Sequence, residues 1–224
     1  MDIEFWDAQW SAAQQSSSLS EGYKRSDNWE AFWGQYAKRY AMENRDRFSF
    51  FSSIVDHLDY EGVIPASCNV LDIGCGPGTF SIPLALKGVD VTGLDTAAGM
   101  LAVMKEEAVH YNVTERIKAL EQSWESLPEN GHYDLVMGAN TPAIKDYGSL
   151  MKMSRLSNRY CCLISFAGSY QSVLRRDLWF RIMGAPLESK AFDVQYPFNI
   201  LYLKGDHPNI RFFPYHWDST RNVD

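Results

Sequence analysis

Apolar residues follow two different periods along the chain, and the change between them falls near residue 66. Residues 29–58 carry apolar and aromatic side chains at close to 3.6-residue spacing, which predicts helical structure. Beyond residue 66, short apolar runs alternate with helical patterns, which predicts a parallel sheet with helices on both faces. The predicted strands cover residues 70–73, 89–94, 117–120, 133–138 and 160–166. The predicted helices between them cover residues 80–87, 97–111 and 145–156.

The same pattern divides the chain into three predicted parts. Residues 1–66 form a helical N-terminal cover, residues 67–167 an α/β core, and residues 168–224 an irregular C-terminal cap and substrate region. Four prolines interrupt the cap, which leaves a predicted helix over 170–183 and a predicted strand over 210–213. We therefore expect a three-layer, doubly wound α/β fold.

Composition and charge exclude several classes of function. The chain has 224 residues and a net charge of −7, which argues against general affinity for nucleic acid or anionic membranes. No apolar run is long enough to cross a bilayer, and the acidic start does not resemble a signal peptide. None of the four cysteines forms a CxxC pair, and no metal-ligand spacing is present, so we predict no metal site. A cytoplasmic location is the simplest expectation.

One segment departs from this acidic balance. Residues 151–190 contain seven Lys or Arg and two acids. Such runs are usually solvated surface, and that is the favoured interpretation. The alternative is that Arg175, Arg176 or Arg181 guides a small anionic substrate.

A glycine cluster carries the strongest chemical signal. A predicted strand leads into Gly74, Gly76 and Gly78, and a helix follows, an arrangement whose free N–H groups bind anionic groups. The spacing is GxGxG rather than the GxGxxG of nicotinamide enzymes. Asp72 precedes the first glycine and would repel a pyrophosphate but attract an ammonium group. Asp95 ends the next strand, where an acid can accept both ribose hydroxyls. A ligand with a ribose, an amino-acid end and no pyrophosphate matches S-adenosylmethionine.

These residues resemble the motifs of the class I, Rossmann-like S-adenosylmethionine-dependent methyltransferases. Asp72 to Gly78 resembles their first motif, Leu94-Asp95 with Met100-Leu101 the second, and residues 133–139 the strand of the fourth. The resemblance implies a cofactor site formed by Asp72, Gly74, Cys75, Gly76, Gly78, Asp95, Thr96, Met100, Ser123, Trp124 and Asn140, to which Tyr36 and Tyr40 of the cover are added as hypotheses. The family's sheet usually ends in an antiparallel hairpin, which the pattern here does not clearly contain.

The predicted reaction is methyl transfer from S-adenosylmethionine to a small-molecule acceptor by in-line displacement. The candidate catalytic residues are Asn140 after the fourth strand, Tyr36 in the cover and His207 in the cap. The aromatic residues of the cover also fit a plain packing stripe, which is the favoured interpretation. Three other functions stay open: a non-catalytic cofactor-binding module, a methyltransferase acting on a macromolecule, and, less favoured, an NAD(P)-dependent oxidoreductase.

Overall fold

The computed structural model describes residues 1–15, 29–65, 67–167, 177–178, 180–182, 184 and 193–215. Its described strands are β1 (Asn69–Ile73), β2 (Asp90–Asp95), β3 (Ile117–Glu121), β4 (Tyr133–Ala139) and β5 (Ser157–Ile164). They form one parallel sheet in the order β3-β2-β1-β4-β5. The predicted parallel sheet is confirmed, with strand ends that shift by one to three residues.

Seven α-helices whose bounds the structure describes accompany the strands. They are α1 (Ile3–Gln15), α2 (Trp29–Arg45), α3 (Phe48–Tyr60), α4 (Ser81–Leu86), α5 (Ala98–His110), α6 (Tyr147–Leu156) and α7 (Gln195–Lys204). Adjacent strand residues point to opposite faces: Val70 packs with α3 and α4, whereas Leu71 packs with α1, α6 and α7. This gives the three layers expected from the sequence, and the predicted α/β fold class is confirmed.

The sheet changes direction beside β1. The chain proceeds from β1 to β2 and β3 on one side, then returns to β4 and β5 on the other. In such sheets a crevice opens at the carboxyl ends of the two strands where the order reverses. The loops after β1 and β4 therefore border the expected ligand site.

The stretch predicted to be helical, residues 29–58, is helical in the structure. Two helices, α2 and α3, occupy this stretch, and a turn at Asp46 and Arg47 separates them. Helix α2 packs on α5 instead of the sheet, and Gly34 and Gly99 meet at the crossing. A Cβ on Gly99 would lie 2.6 Å from the Cα of Gly34, so the two backbones touch.

The C-terminal region contains one helix that the sequence pattern missed and lacks one predicted strand. Helix α7 carries Pro197 in its first turn, where proline is tolerated. The strand predicted over 210–213 is wrong, because residues 206–215 form no regular element. Phe213 packs instead on His57 of α3, with ring centroids 5.5 Å apart. The predicted helix over 170–183 lies largely outside the described residues.

Candidate functional site

The loop between β1 and α4 is shaped by its three glycines. Gly74, Gly76 and Gly78 have φ angles of 65°, 55° and 89°, a region that side-chain-bearing residues rarely occupy. The N–H groups of Gly74 and Cys75 both donate to the carbonyl oxygen of Leu94, at 2.8 and 3.1 Å. These bonds fasten the start of the loop to the end of β2, so the loop follows the carboxyl edge of the sheet.

The loop is packed at its ends and open at its middle. A Cβ on Gly74 would lie 2.2 Å from the Oγ1 atom of Thr141, which follows β4. A Cβ on Gly78 would lie 2.9 Å from the side chain of Met104 in α5. At Gly76 a Cβ would meet nothing within 4 Å. The loop thus offers a backbone surface at Gly76 that a ligand can approach closely.

Asp72 lies behind this loop and is almost fully buried, with 2% of its surface exposed. The Ser81 hydroxyl donates to its Oδ2 atom at 2.7 Å. Burial raises the pKa of Asp72 to about 7, and the nearby Asp95 adds to the effect, while the Ser81 hydrogen bond partly opposes it. A positively charged ligand group at the loop would favour the ionised form of Asp72.

Asp95 ends β2 and faces the same loop. Its Oδ2 atom accepts from the N–H of Gly76 at 2.9 Å, and its Oδ1 atom accepts from the N–H of Ala97 at 2.9 Å. Burial raises the pKa of Asp95, although these backbone hydrogen bonds oppose the shift. Asp95 therefore supports the start of α5, whose N-cap residue is Ala97. Each oxygen keeps a further lone pair for a ligand hydroxyl.

The charges of these groups decide which ligand fits. Two carboxylates, Asp72 and Asp95, lie beside a loop whose N–H groups at Gly74 and Cys75 are already used by Leu94. A pyrophosphate would be repelled there, whereas an ammonium or sulfonium group would be attracted. The open backbone at Gly76 supplies room. The arrangement fits S-adenosylmethionine.

Among the described residues, no cluster of His, Cys, Asp and Glu could hold a metal ion.

Comparison with known proteins agrees with this chemistry. Residues 70–156 match the family model described as a methyltransferase domain. The matched stretch begins in β1 and ends with α6, so it contains the glycine loop, Asp95 and the loop after β4.

Residues 70–156 of the chain resemble a methyltransferase domain in sequence.

Two solved structures share the fold of the methyltransferase domain. One is magnesium protoporphyrin IX methyltransferase from Synechocystis with bound S-adenosylhomocysteine, with a TM-score of 0.56 and 22% identity over 79% of this chain and 87% of that chain. The other is a putative S-adenosylmethionine-dependent methyltransferase from Methanococcus maripaludis, with a TM-score of 0.57 and 16% identity, which covers 77% of this chain and 84% of that chain. The predicted resemblance to methyltransferases is confirmed over residues 70–156, and the predicted cofactor agrees with the S-adenosylhomocysteine bound in the Synechocystis structure.

Relatives in sequence match over shorter stretches. A ubiquinone biosynthesis O-methyltransferase from Pseudomonas savastanoi is 37% identical over 113 residues, which is 46% of this chain and 47% of that protein. An uncharacterized protein from Haemophilus influenzae is 29% identical over 154 residues, 64% of this chain and 52% of that protein. The chain therefore spans about half the length of these relatives.

Helix α2 is fastened to the methyltransferase domain at its C-terminal end. The Asn44 amide nitrogen donates to the Thr79 hydroxyl in the glycine loop at 2.7 Å. Arg45 forms a bidentate ion pair with Glu107 of α5, at 3.1 and 2.5 Å. Sequence patterns did not reveal these contacts, because they join residues far apart in the chain. They place the cover directly against the glycine loop.

The candidate residues of the cover lie on this helix. The Tyr36 hydroxyl donates to Glu43 at 3.0 Å, and the Tyr36 and Tyr40 rings lie 5.9 Å apart. Burial raises the pKa of Tyr40, which packs at the α2–α5 contact together with Met100. These placements agree with a packing stripe, and contact of Tyr36, Tyr40 or Met100 with the cofactor stays a prediction.

The loop after β3 presents a different surface from the one expected. Trp124 is buried, with 3% of its surface exposed, and its ring packs in the core between the sheet and α6. The Lys152 ammonium lies 4.7 Å from the centre of this ring and donates to the Trp124 carbonyl oxygen at 2.6 Å. The neighbouring Ser123 bonds with Ser126. The Trp124 ring therefore stabilises the loop from inside, and an adenine would meet the loop backbone or Ser123.

The remaining candidates lie in three different places. Asn140 follows β4 with an exposed side chain and a φ of 48°, beside Thr141 and the glycine loop. The Cys75 side chain is buried with Leu101 beneath that loop, so only the backbone of Cys75 faces the ligand side. His207 lies beyond α7, and its described ring contact is with Tyr202. No described contact joins His207 to the loop.

Proposed function

We propose that this protein transfers a methyl group from S-adenosylmethionine to a small-molecule acceptor. The observation that carries the proposal is the position of Thr141. Its side chain packs against Gly74 of the cofactor loop and also lines a narrow cleft at the carboxyl ends of β4 and β5. The glycine loop and this small cleft thus share one side chain, and direct transfer requires two ligand sites that adjoin in this way.

The cleft has an apolar part and a polar part. The apolar lining is formed by Trp10, Ile144, Leu163 and Ile164. The polar lining is formed by Asn140, Thr141, Ser165 and Asp193. The cleft has a volume of about 10 Å³, which is room for a single water, so an acceptor would have to widen it.

The cofactor supplies a methyl group on a positively charged sulfur, which is already a good leaving group. The chain's residues then have to bind and align the two reactants, and alignment alone can lower a barrier by about 7–11 kcal/mol. We assign the ribose hydroxyls to Asp95, the positively charged end to Asp72, and the backbone approach to Gly76. We assign to Asn140, at the end of β4, the contact with the reacting atoms.

Two relatives support a small acceptor. The matching Pseudomonas protein is named for ubiquinone biosynthesis, and the Synechocystis structure is a magnesium protoporphyrin IX methyltransferase. Neither name identifies the acceptor here. The net charge of −7 also disfavours a polyanionic acceptor such as nucleic acid.

Cofactor binding is tested with Asp95→Asn, which keeps the side chain's size and one acceptor oxygen. We expect the affinity for S-adenosylhomocysteine to fall about tenfold or more, because a charged hydrogen bond contributes roughly 1.5–3 kcal/mol. Titration calorimetry measures this fall. Asp90→Asn is the matched control, since Asp90 starts the same strand and pairs with Arg116 on the surface.

Three results would contradict the proposal. Unchanged affinity in Asp95→Asn would remove Asp95 from the site. Binding of NADH without any binding of S-adenosylhomocysteine would favour an oxidoreductase. Binding to RNA that weakens steeply with salt would favour a nucleic-acid acceptor.

A further inference from the structure

The two halves of the glycine loop, residues 74–79, are held by different parts of the chain. The N–H groups of residues 74–76 all donate to the carboxyl end of β2. Residues 77–79 make no hydrogen bond to the sheet within the described part of the chain. Among the described residues, Asn44 of α2 supplies the hydrogen bond that joins this second half to an element outside the loop and α4: its Nδ2 atom donates to the Thr79 hydroxyl at 2.7 Å. The second half of the loop therefore depends on the cover.

The loop needs such an anchor because of its glycines. Gly76 and Gly78 have φ angles of 55° and 89°, which glycine adopts easily, but glycine also permits many other conformations, so its ordering costs entropy. A Cβ at Gly76 would meet nothing within 4 Å, so neighbouring atoms do not confine the backbone there. A contact that orders a loop before its ligand arrives removes that cost from binding. The bond at Thr79 lies three residues beyond Gly76 and has this effect.

The surroundings of Asn44 show that stability alone does not explain this residue. Asn44 is 7% exposed, and its Oδ1 atom is buried with no hydrogen-bond partner among the described residues. Leaving a buried acceptor unpaired costs about 1–3 kcal/mol, whereas a neutral hydrogen bond contributes only about 0.5–1.5 kcal/mol. Burial raises the pKa of Tyr40 in the same helix, and the Asn44 side chain partly opposes that rise. The amide thus lies between the hydroxyls of the cover and the loop at a net cost in stability.

We propose that Asn44 is a positioning residue for the methyl donor, and that its hydrogen bond to Thr79 holds residues 77–79 in the conformation that binds S-adenosylmethionine. Asn44 acts through Thr79 and contacts no reacting atom. The proposal rests on the proposed function and adds to the donor site a residue that lies outside the stretch 70–156 matched by the methyltransferase model. The cover is then part of the donor site as well as a packing layer.

The test uses the full chain and two measurements, titration calorimetry with S-adenosylhomocysteine and urea unfolding without ligand. Asn44→Leu removes the amide and keeps a side chain of similar size. Thr79→Val removes the hydroxyl, Thr79→Ser keeps it, and a double variant combines Asn44→Leu with Thr79→Val. Arg45→Gln is the matched control, because the neighbouring Arg45 pairs with Glu107 of α5 instead of the glycine loop.

We expect Asn44→Leu and Thr79→Val each to weaken S-adenosylhomocysteine about three- to tenfold, the range for one lost neutral hydrogen bond. The double variant should bind no more weakly than the single variants, since all of them remove the same bond. Its stability should stay close to that of wild type, because both partners become apolar together. Thr79→Ser should bind as wild type does. Arg45→Gln should lower stability but leave the affinity within about twofold of wild type.

Three results would overturn the positioning role. The first is wild-type affinity in Asn44→Leu or in the double variant. The second is a loss in Thr79→Ser as large as that in Thr79→Val. The third is a loss of affinity in Arg45→Gln as large as that in Asn44→Leu, which would assign the effect to the docking of α2 as a whole. Failure of the wild-type chain to bind S-adenosylhomocysteine would instead contradict the proposed function itself.

Discussion

Burial of Asp72 predicts that the stability of the protein depends on pH in an unusual direction. The Asp72 carboxyl has a pKa of about 7 in the folded protein, compared with an ordinary value of 3.8. Between these pH values the folded chain holds one more proton than the unfolded chain, so the free energy of unfolding falls as pH rises. The full effect is about 4 kcal/mol, and about 3 kcal/mol of it lies between pH 5 and pH 8.

Asp72→Asn isolates this contribution. The amide cannot ionise, but its oxygen can still accept the Ser81 hydroxyl, which donates to Asp72 at 2.7 Å. Urea titration of wild type and variant at pH 5 and at pH 8 gives four free energies of unfolding. We expect the variant to become more stable relative to wild type by about 3 kcal/mol on going from pH 5 to pH 8.

The same variant should lose cofactor affinity, because the ionised Asp72 attracts the ligand's positive end. At pH 8, where the wild-type carboxyl is ionised, S-adenosylhomocysteine should bind the Asp72→Asn variant more weakly than wild type by calorimetry. If wild type and variant showed the same dependence of stability on pH, the carboxyl of Asp72 would not be the buried, neutral group that the structure indicates. The two readouts are independent, since one concerns the protein without ligand.

Two further substitutions test the contacts that hold the site in place. Gly99→Ala should destabilise the protein by about 1–3 kcal/mol, since the new Cβ would lie 2.6 Å from the Cα of Gly34 and push α2 away from α5. Gly148→Ala is the matched control, because its new Cβ would make only ordinary contacts. Equal thermal midpoints for the two variants would refute the reasoning. Lys152→Met should lower the free energy of unfolding by about 1.5–3 kcal/mol in urea titrations, because it removes the ammonium that donates to the Trp124 carbonyl oxygen at 2.6 Å. A variant as stable as wild type would show that this hydrogen bond contributes nothing to stability.

The central sheet and the glycine loop were predictable because their signals are local. A buried parallel strand needs a short apolar run on both faces, as in residues 70–73, and a sharp turn beside a ligand needs glycine, as at Gly76. Both requirements concern residues that are adjacent in the sequence. The positions of Asp72 and Asp95 follow from the same strands, so their approach to the loop was predictable too.

Other features depend on contacts between distant residues, which a local pattern does not record. The aromatic run over 210–213 has the composition of a strand, but Phe213 packs on α3 and the run joins no sheet. Trp124 follows β3, where an adenine contact was expected, yet Lys152 from α6 engages its carbonyl and ring inside the core. Asp193 had no sequence signal, since its position depends on a single bridge to Phe166.

The two halves of the proposed reaction are encoded differently along the chain. The cofactor cradle comes from one continuous stretch, residues 70–156, and this is the stretch that the methyltransferase family model matches. The small cleft at the carboxyl ends of β4 and β5 adds Trp10 and Asp193 from the flanking segments, which meet where Trp10 stacks on Tyr196. A substitution in either flank can therefore alter this cleft without changing any residue of the glycine loop.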